Sequence, residues 1–161
     1  MFQLKIIDMI NNGFTVDLIH YLQQNKPEVL FWNNDEEKKE LEEMLQNRGE
    51  LAGETFEKES RAGASVYEAK SAAYEELYSG FGTSQYLLIE SILSEHFSIF
   101  LEELQTKGRT KDFIRMLMKE NHYLFMQFEV DCDDFVMTKE YYTLCRKLKK
   151  SIHYSLWTLL N

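Results

Sequence analysis

TSQYLLIESILSEHFSIFLEEL, Thr83 to Leu104, is the most apolar run of the chain. Leu87, Leu88, Ile89, Ile92, Leu93, Phe97, Ile99, Phe100 and Leu104 recur at helical spacing on more than one stripe, which predicts a helix with apolar neighbours on most sides. Ser91, Ser94 and Ser98 form a narrower line of small residues that would let a second helix backbone come close. Each fully buried Leu, Ile or Phe is worth roughly 1.5–3 kcal/mol, so this run alone rivals the net stability of a domain, about 5–15 kcal/mol. The rest of the chain is therefore expected to pack around it.

Working back from Thr83, the SGFGT turn at Ser79–Thr83 separates the central helix from an alanine-rich one, with Thr83 or Ser84 as the cap. That earlier helix opens on Ser65 with Glu68 three residues on, a capping-box pattern, and turns Val66, Ala69, Ala73 and Leu77 inward beside a stripe of Tyr67, Tyr74 and Tyr78. Residues 35–62 read as a long amphipathic helix capped by Asn34, with Leu41, Leu45, Ala52 and Phe56 on its inner face, loosened at Gly49 and Gly53 and ended by Gly63. Thr15 caps a first helix that stops at Asn25-Lys26-Pro27, because a residue before proline is biased out of the helical region. Leu30, Phe31 and Trp32 follow as a lid on the core. Phe2 to Ile10 reads equally as a short helix or an extended arm within residues 1–13.

Working forward, Thr110 caps a helix to about Phe128 whose inner face is Phe113, Leu117, Leu124 and Phe128. Thr138 opens the last helix, with Tyr141, Cys145, Leu148, Ile152, Leu156 and Leu159 at three- and four-residue spacing. The expected fold is all-α: a single multihelical bundle of about six helices around the central one, occupying residues 1–161 as one domain. Composition agrees, since one proline and seven glycines leave little material for the turns of a sheet.

No apolar run reaches the roughly 18–20 uninterrupted residues of a membrane span, and MFQLKIIDMINNGF makes a poor secretory signal, so the protein is expected in the cytoplasm, away from membranes. Cys132 and Cys145 are expected as reduced thiols. The net charge of −9 is uneven: residues 1–104 carry 20 acidic and 8 basic side chains, residues 105–161 carry 7 and 10. Any nucleic-acid contact must come from the C-terminal third, since an acidic chain as a whole repels phosphates.

Three segments resemble a bacterial family, domain of unknown function eighteen-ninety-six. LIHYLQQNKPE looks like its first helix and stop, and RGELAGETFEKESRAGASVYEAKSAAYEELYSGFGTSQYLLIESILSEHF is similar to its core in the order of features. DDFVMTKEYYTL matches the step into its last helix. The resemblance spans roughly residues 15–160. It implies an all-helical domain and, from the family's distribution in Bacteroidetes near conjugative elements, an accessory role on mobile elements. It supplies no activity or catalytic residues.

The residues themselves offer little chemistry. A dinuclear iron site needs two Glu-x-x-His steps; the chain has none, and Asp17-x-x-His20 is its nearest approach. Asp131, Asp133 and Asp134 resemble the start of a calcium loop, but the sixth position lacks Gly and Tyr142 stands where the bidentate Glu belongs. Cys132, Cys145, His122 and His153 lack zinc spacing, and no Gly-x-Ser-x-Gly elbow is present. His96 reads as a core or boundary residue. The GFGTS turn before a helix has the outline of an anion site without the lysine of a phosphate loop. No metal or cofactor is expected.

Two surfaces remain. Glu50, Glu54 and Glu57 share one helix face, and with Tyr67, Tyr74 and Tyr78 they form the expected contact for a protein partner. Arg146, Lys147, Lys149 and Lys150 form a basic run, with Lys139 nearby and Lys107, Arg109 and Lys111 in the preceding loop, suited to phosphates. The first reading makes the protein a non-enzymatic interaction module; the alternative makes it a nucleic-acid accessory.

Overall fold

A computed structural model describes residues 13–128, 130 and 134–160, with Leu160 as backbone. The expected arm, apart from Gly13, and Asp131, Cys132 and Asp133 lie outside the described residues. These are all-α: eight α-helices and two 3-10 turns, with no strand among them. They fall into two compact units, Met1–Ser79 and Gly80–Asn161.

In the first unit, α1 (Gly13–Asn25), α2 (Asp35–Arg61) and α3 (Val66–Tyr78) pack on one another. Lys26 and Pro27 stop α1 as expected, and a 3-10 turn, Pro27–Leu30, packs back on it with Leu30 buried. Asn34 caps α2 through a bond from the Glu37 N–H, and Ser65 and Glu68 form the full capping box of α3. The core is Leu18, Ile19, Leu22, Leu41, Leu45, Ala52, Ala69, Ala73 and Leu77. Three expectations change. Thr15 lies inside α1, fully buried, instead of capping it. Helix α2 runs unbroken through Gly49 and Gly53; Gly49 is where Thr15 packs, and a Cβ there would overlap the Thr15 hydroxyl. Val66 is exposed, since the inward face of α3 begins at Ala69.

In the second unit the predicted central helix is two helices, α4 (Gln85–His96) and α5 (Ser98–Thr106), broken at Phe97, whose φ of −136° and ψ of 39° leave the helical region. Ser84 caps α4 through the Leu87 N–H. The helix predicted from Lys111 to Phe128 also breaks, into α6 (Thr110–Glu120) and α7 (His122–Met126). The break falls at buried Asn121, whose φ of −101° and ψ of 10° leave the helical region; its side-chain amide donates to the Leu117 carbonyl at 2.8 Å, which also accepts the Asn121 backbone N–H at 3.0 Å. These two breaks turn six expected helices into eight. Thr110 is the first residue of α6 and makes no cap bond. The chain then passes the 3-10 turn Phe135–Met137 into α8 (Lys139–Leu160).

Leu88, Ile89, Ile92 and Leu93 of α4 join Phe113, Ile114, Leu117, Phe125, Leu144, Leu148, Ile152 and Leu156 in the core of this unit. Burial is one-sided. Ser91, Ser94 and Ser98 are exposed, Ile99 stands 83% exposed, and Leu159 lies outside the core. No helix among the described residues is long and apolar enough to cross a membrane.

Candidate interaction surfaces

The tyrosines of α3 differ in their surroundings. Tyr78 stacks on Tyr21 of α1 with ring centres 4.1 Å apart, Tyr74 lies 5.6 Å beyond it, and Phe14 meets Tyr74 edge-on at 5.5 Å. The Tyr74 hydroxyl donates to Asp17 Oδ2 at 2.8 Å. This ladder ties α1 to α3, and Tyr67, 82% exposed and two turns before Tyr74, stays outside it. The ladder follows from geometry: Tyr74 and Tyr78 sit one helical turn apart on the side of α3 that faces α1, whose Phe14 and Tyr21 lie two turns apart. A sequence signal existed in Phe14, Asp17 and Tyr21, which share one face of α1.

The hydrogen bond to Asp17 pushes the Tyr74 phenol up to about 12, with burial and the neighbouring charge adding to it, and burial and Asp17 also raise Tyr78. A raised phenol keeps its proton in the folded state while the unfolded chain loses its own near the ordinary value of about 10. The contribution to stability is thus complete below pH ~10 and disappears as pH rises through about 12. Wild-type stability should fall across that window. Tyr74→Phe should be less stable at pH 8, by roughly 1 kcal/mol, with a shallower decline above pH ~10, as measured by urea unfolding at several pH values. An unchanged slope would separate the ladder from alkaline stability.

Glu50, Glu54 and Glu57 are exposed on α2. Glu50 accepts from Gln46 and Glu57 pairs with Arg61 at 3.4 Å, both one turn away on the same helix. Arg48, which the sequence did not single out, donates to the Leu77 and Ser79 carbonyls at 3.2 and 2.7 Å and so caps the C-terminus of α3 from α2.

In the second unit the break at Phe97 opens an apolar groove of about 530 Å³ between α5 and the end of α8. Phe97, Ile99, Phe100, Leu156 and Trp157 supply its apolar wall, and His96, His153, Ser98 and Glu103 its polar groups. The Phe97 and His153 rings lie 6.3 Å apart. His96 is therefore a surface residue of this groove, with Glu95 Oε2 at 3.8 Å from its Nε2. A second groove shares Phe100 and Glu103 and continues to Lys107, Phe113 and Leu159. The sequence hint was Trp157, an aromatic on the polar side of the last helix.

Of the basic candidates, Lys107 pairs with Glu103, and Lys147 bends over the Phe128 ring at 5.6 Å. Arg146, Lys149 and Lys150 are exposed and make no ion pair among the described residues. Cys145 is a free thiol, pushed up by burial. The Thr83 N–H of the GFGTS turn donates to the Val130 carbonyl, so it is not turned to an anion. Among the described residues no three His, Cys, Asp or Glu side chains gather as a metal site requires.

The sequence matches the family described as Domain of unknown function (DUF1896) over residues 12–157. The chain belongs to the DUF1896 family. A crystal structure of protein PG0816 from Porphyromonas gingivalis has a similar fold, with a TM-score of 0.73. It is 24% identical, and the match covers 90% of this chain and 89% of that one. No curated protein matches this DUF1896 chain.

Proposed function

We propose that this DUF1896 protein is a non-enzymatic cytoplasmic interaction module that holds a protein partner and serves as an accessory of mobile elements. The carrying observation is the exposed apolar margin of the groove at the α4–α5 break, where Ile99, Trp157 and Leu159 are 83%, 59% and 62% exposed around a concave apolar wall. Large apolar side chains gathered at a groove favour an amphipathic helix laid along it, its apolar anchors replacing water on Phe97, Phe100 and Trp157. Tyr67, with Val66 exposed beside it, offers a further contact, and the acidic face of Glu50, Glu54 and Glu57 favours a basic partner there. Tyr74 and Tyr78 support that contact by fixing the helix that carries Tyr67. The mobile-element role rests on the family's association with conjugative elements.

The experiment is capture of partners from native lysate on the tagged protein, with and without nuclease, comparing wild type with Ile99→Glu. At such an exposed position the substitution should change stability by no more than about 0.5 kcal/mol. Partners should survive nuclease and be lost with Ile99→Glu. An unchanged set of partners on the variant would dismiss the groove.

A further inference from the structure

We infer that the outer face of α8 is a binding site for single-stranded nucleic acid. The core side of this helix is Leu144, Leu148, Ile152 and Leu156, all buried. Opposite them, Lys139, Tyr142, Arg146, Lys150, Tyr154 and Trp157 follow one another at three- and four-residue steps and so make one stripe. Cations and aromatic rings are mixed along its whole length. Tyr142 and Tyr154 are 69% and 68% exposed, so their rings stay open to solvent, although Tyr142 meets Tyr141 edge-on with ring centres 5.5 Å apart. Glu140 is the only acidic residue of the helix, against five lysines and arginines, in a protein whose net charge is −9. Positive charge concentrated here against that background, with no ion pair at Arg146, Lys149 or Lys150 among the described residues, is complementary to a polyanion.

The aromatic rings decide which polyanion. Single strands are held by cations that follow the phosphates and by rings on which unstacked bases lie, and this stripe, about 27 Å long, alternates the two. A duplex would use the cations and leave the tyrosines without a base to stack on, since its bases are stacked on each other. An anionic membrane surface would need the apolar face of the helix to insert, and that face is committed to the core. The site is separate from the groove reading, which it adjoins at Trp157.

Fluorescence anisotropy of labelled oligothymidylate, with a duplex of equal length and phosphatidylserine vesicles as competitors, tests this on the full chain. Oligothymidylate should bind with a log–log salt slope of about −2 to −3, as expected for three or four neutralised phosphates. Arg146→Glu with Lys150→Glu should abolish binding. Tyr142→Ala with Tyr154→Ala, both at exposed positions, should weaken the single strand by roughly ten-fold or more and leave any residual duplex binding unchanged. The inference is overturned by absence of salt-dependent binding, by equal or tighter duplex binding, by competition from vesicles stronger than from unlabelled single strand, or by tyrosine variants that bind as wild type does. Circular dichroism of each variant confirms that the helix is retained, so loss of binding is read only from folded protein.

Discussion

Leu93→Asp should remove the folded state of the Gly80–Asn161 unit, whereas Glu57→Ala should leave stability nearly unchanged. Leu93 is fully buried in α4, in the core with Ile89, Ile114, Leu117 and Leu148. Removing its side chain costs about 2–5 kcal/mol through lost burial and a cavity. The new carboxylate must also either lose its hydration or take up a proton, each a further penalty of several kcal/mol. Together these fall within the roughly 5–15 kcal/mol available to a whole domain. Glu57, in contrast, is 67% exposed and makes one pair with Arg61 along the helix, a contact worth about 0.3–0.5 kcal/mol. Thermal unfolding by circular dichroism and amide dispersion by NMR distinguish the two outcomes. Equal tolerance of both substitutions would take Leu93 out of the core.

Gly49→Ala should destabilise the protein and Gly53→Ala stabilise it, although both replace a glycine inside the same helix. Helix propensity alone favours alanine by about 0.8–1 kcal/mol at each position. At Gly53 a Cβ meets nothing within 4 Å, so that gain is kept. At Gly49 the added Cβ would sit 1.9 Å from Thr15 Oγ1 and 3.1 Å from both the Cβ and the backbone nitrogen of Thr15. Rotating the hydroxyl away removes the first overlap and leaves the other two, so α1 and α2 must move apart. Overpacking of this kind costs about 1–3 kcal/mol and outweighs the propensity gain in most of that range. Chemical denaturation of the two variants should therefore show midpoints displaced in opposite directions. Thr15→Ala in the Gly49→Ala background should recover part of the loss, because it deletes the nearest atom; additive effects would exclude the Thr15–Gly49 contact.

Helix capping was legible at four ends, where its signals are local, and misread at Thr15 and Thr110, which lie inside their helices. Ser65 with Glu68, Asn34, Ser84 and Lys26-Pro27 each satisfy or remove a backbone group within four residues, so they act as the sequence reads. The breaks at Phe97 and Asn121 were not legible. Both 83–104 and 111–128 keep helical spacing across them, and the interruption depends on which side each half must bury. At Asn121 the side-chain amide of the buried residue also donates a hydrogen bond to the Leu117 carbonyl one turn back.

The candidate surfaces divide in the same way. The basic run of the last helix and its exposure follow from the alternation of lysine with leucine, and Tyr142, Tyr154 and Trp157 fall between the cations by the same 3.6-residue period. Sequence placed Tyr67, Tyr74 and Tyr78 on one stripe, and the stripe is real. Only the packing of α3 on α1 decided that Tyr74 and Tyr78 would stack on Tyr21 and bond Asp17 while Tyr67 remained in solvent. The groove needed tertiary structure entirely, since Ile99 and Trp157 lie 58 positions apart in the chain and meet at a wall formed by a helix break. The all-α class, most caps and most buried stripes were readable from the residues alone, because these depend on backbone groups and periodicity within a few turns. Tertiary structure decided where helices end under competing burial, which apolar residues stay outside, and which aromatics find one another, because each of those depends on distant parts of the chain.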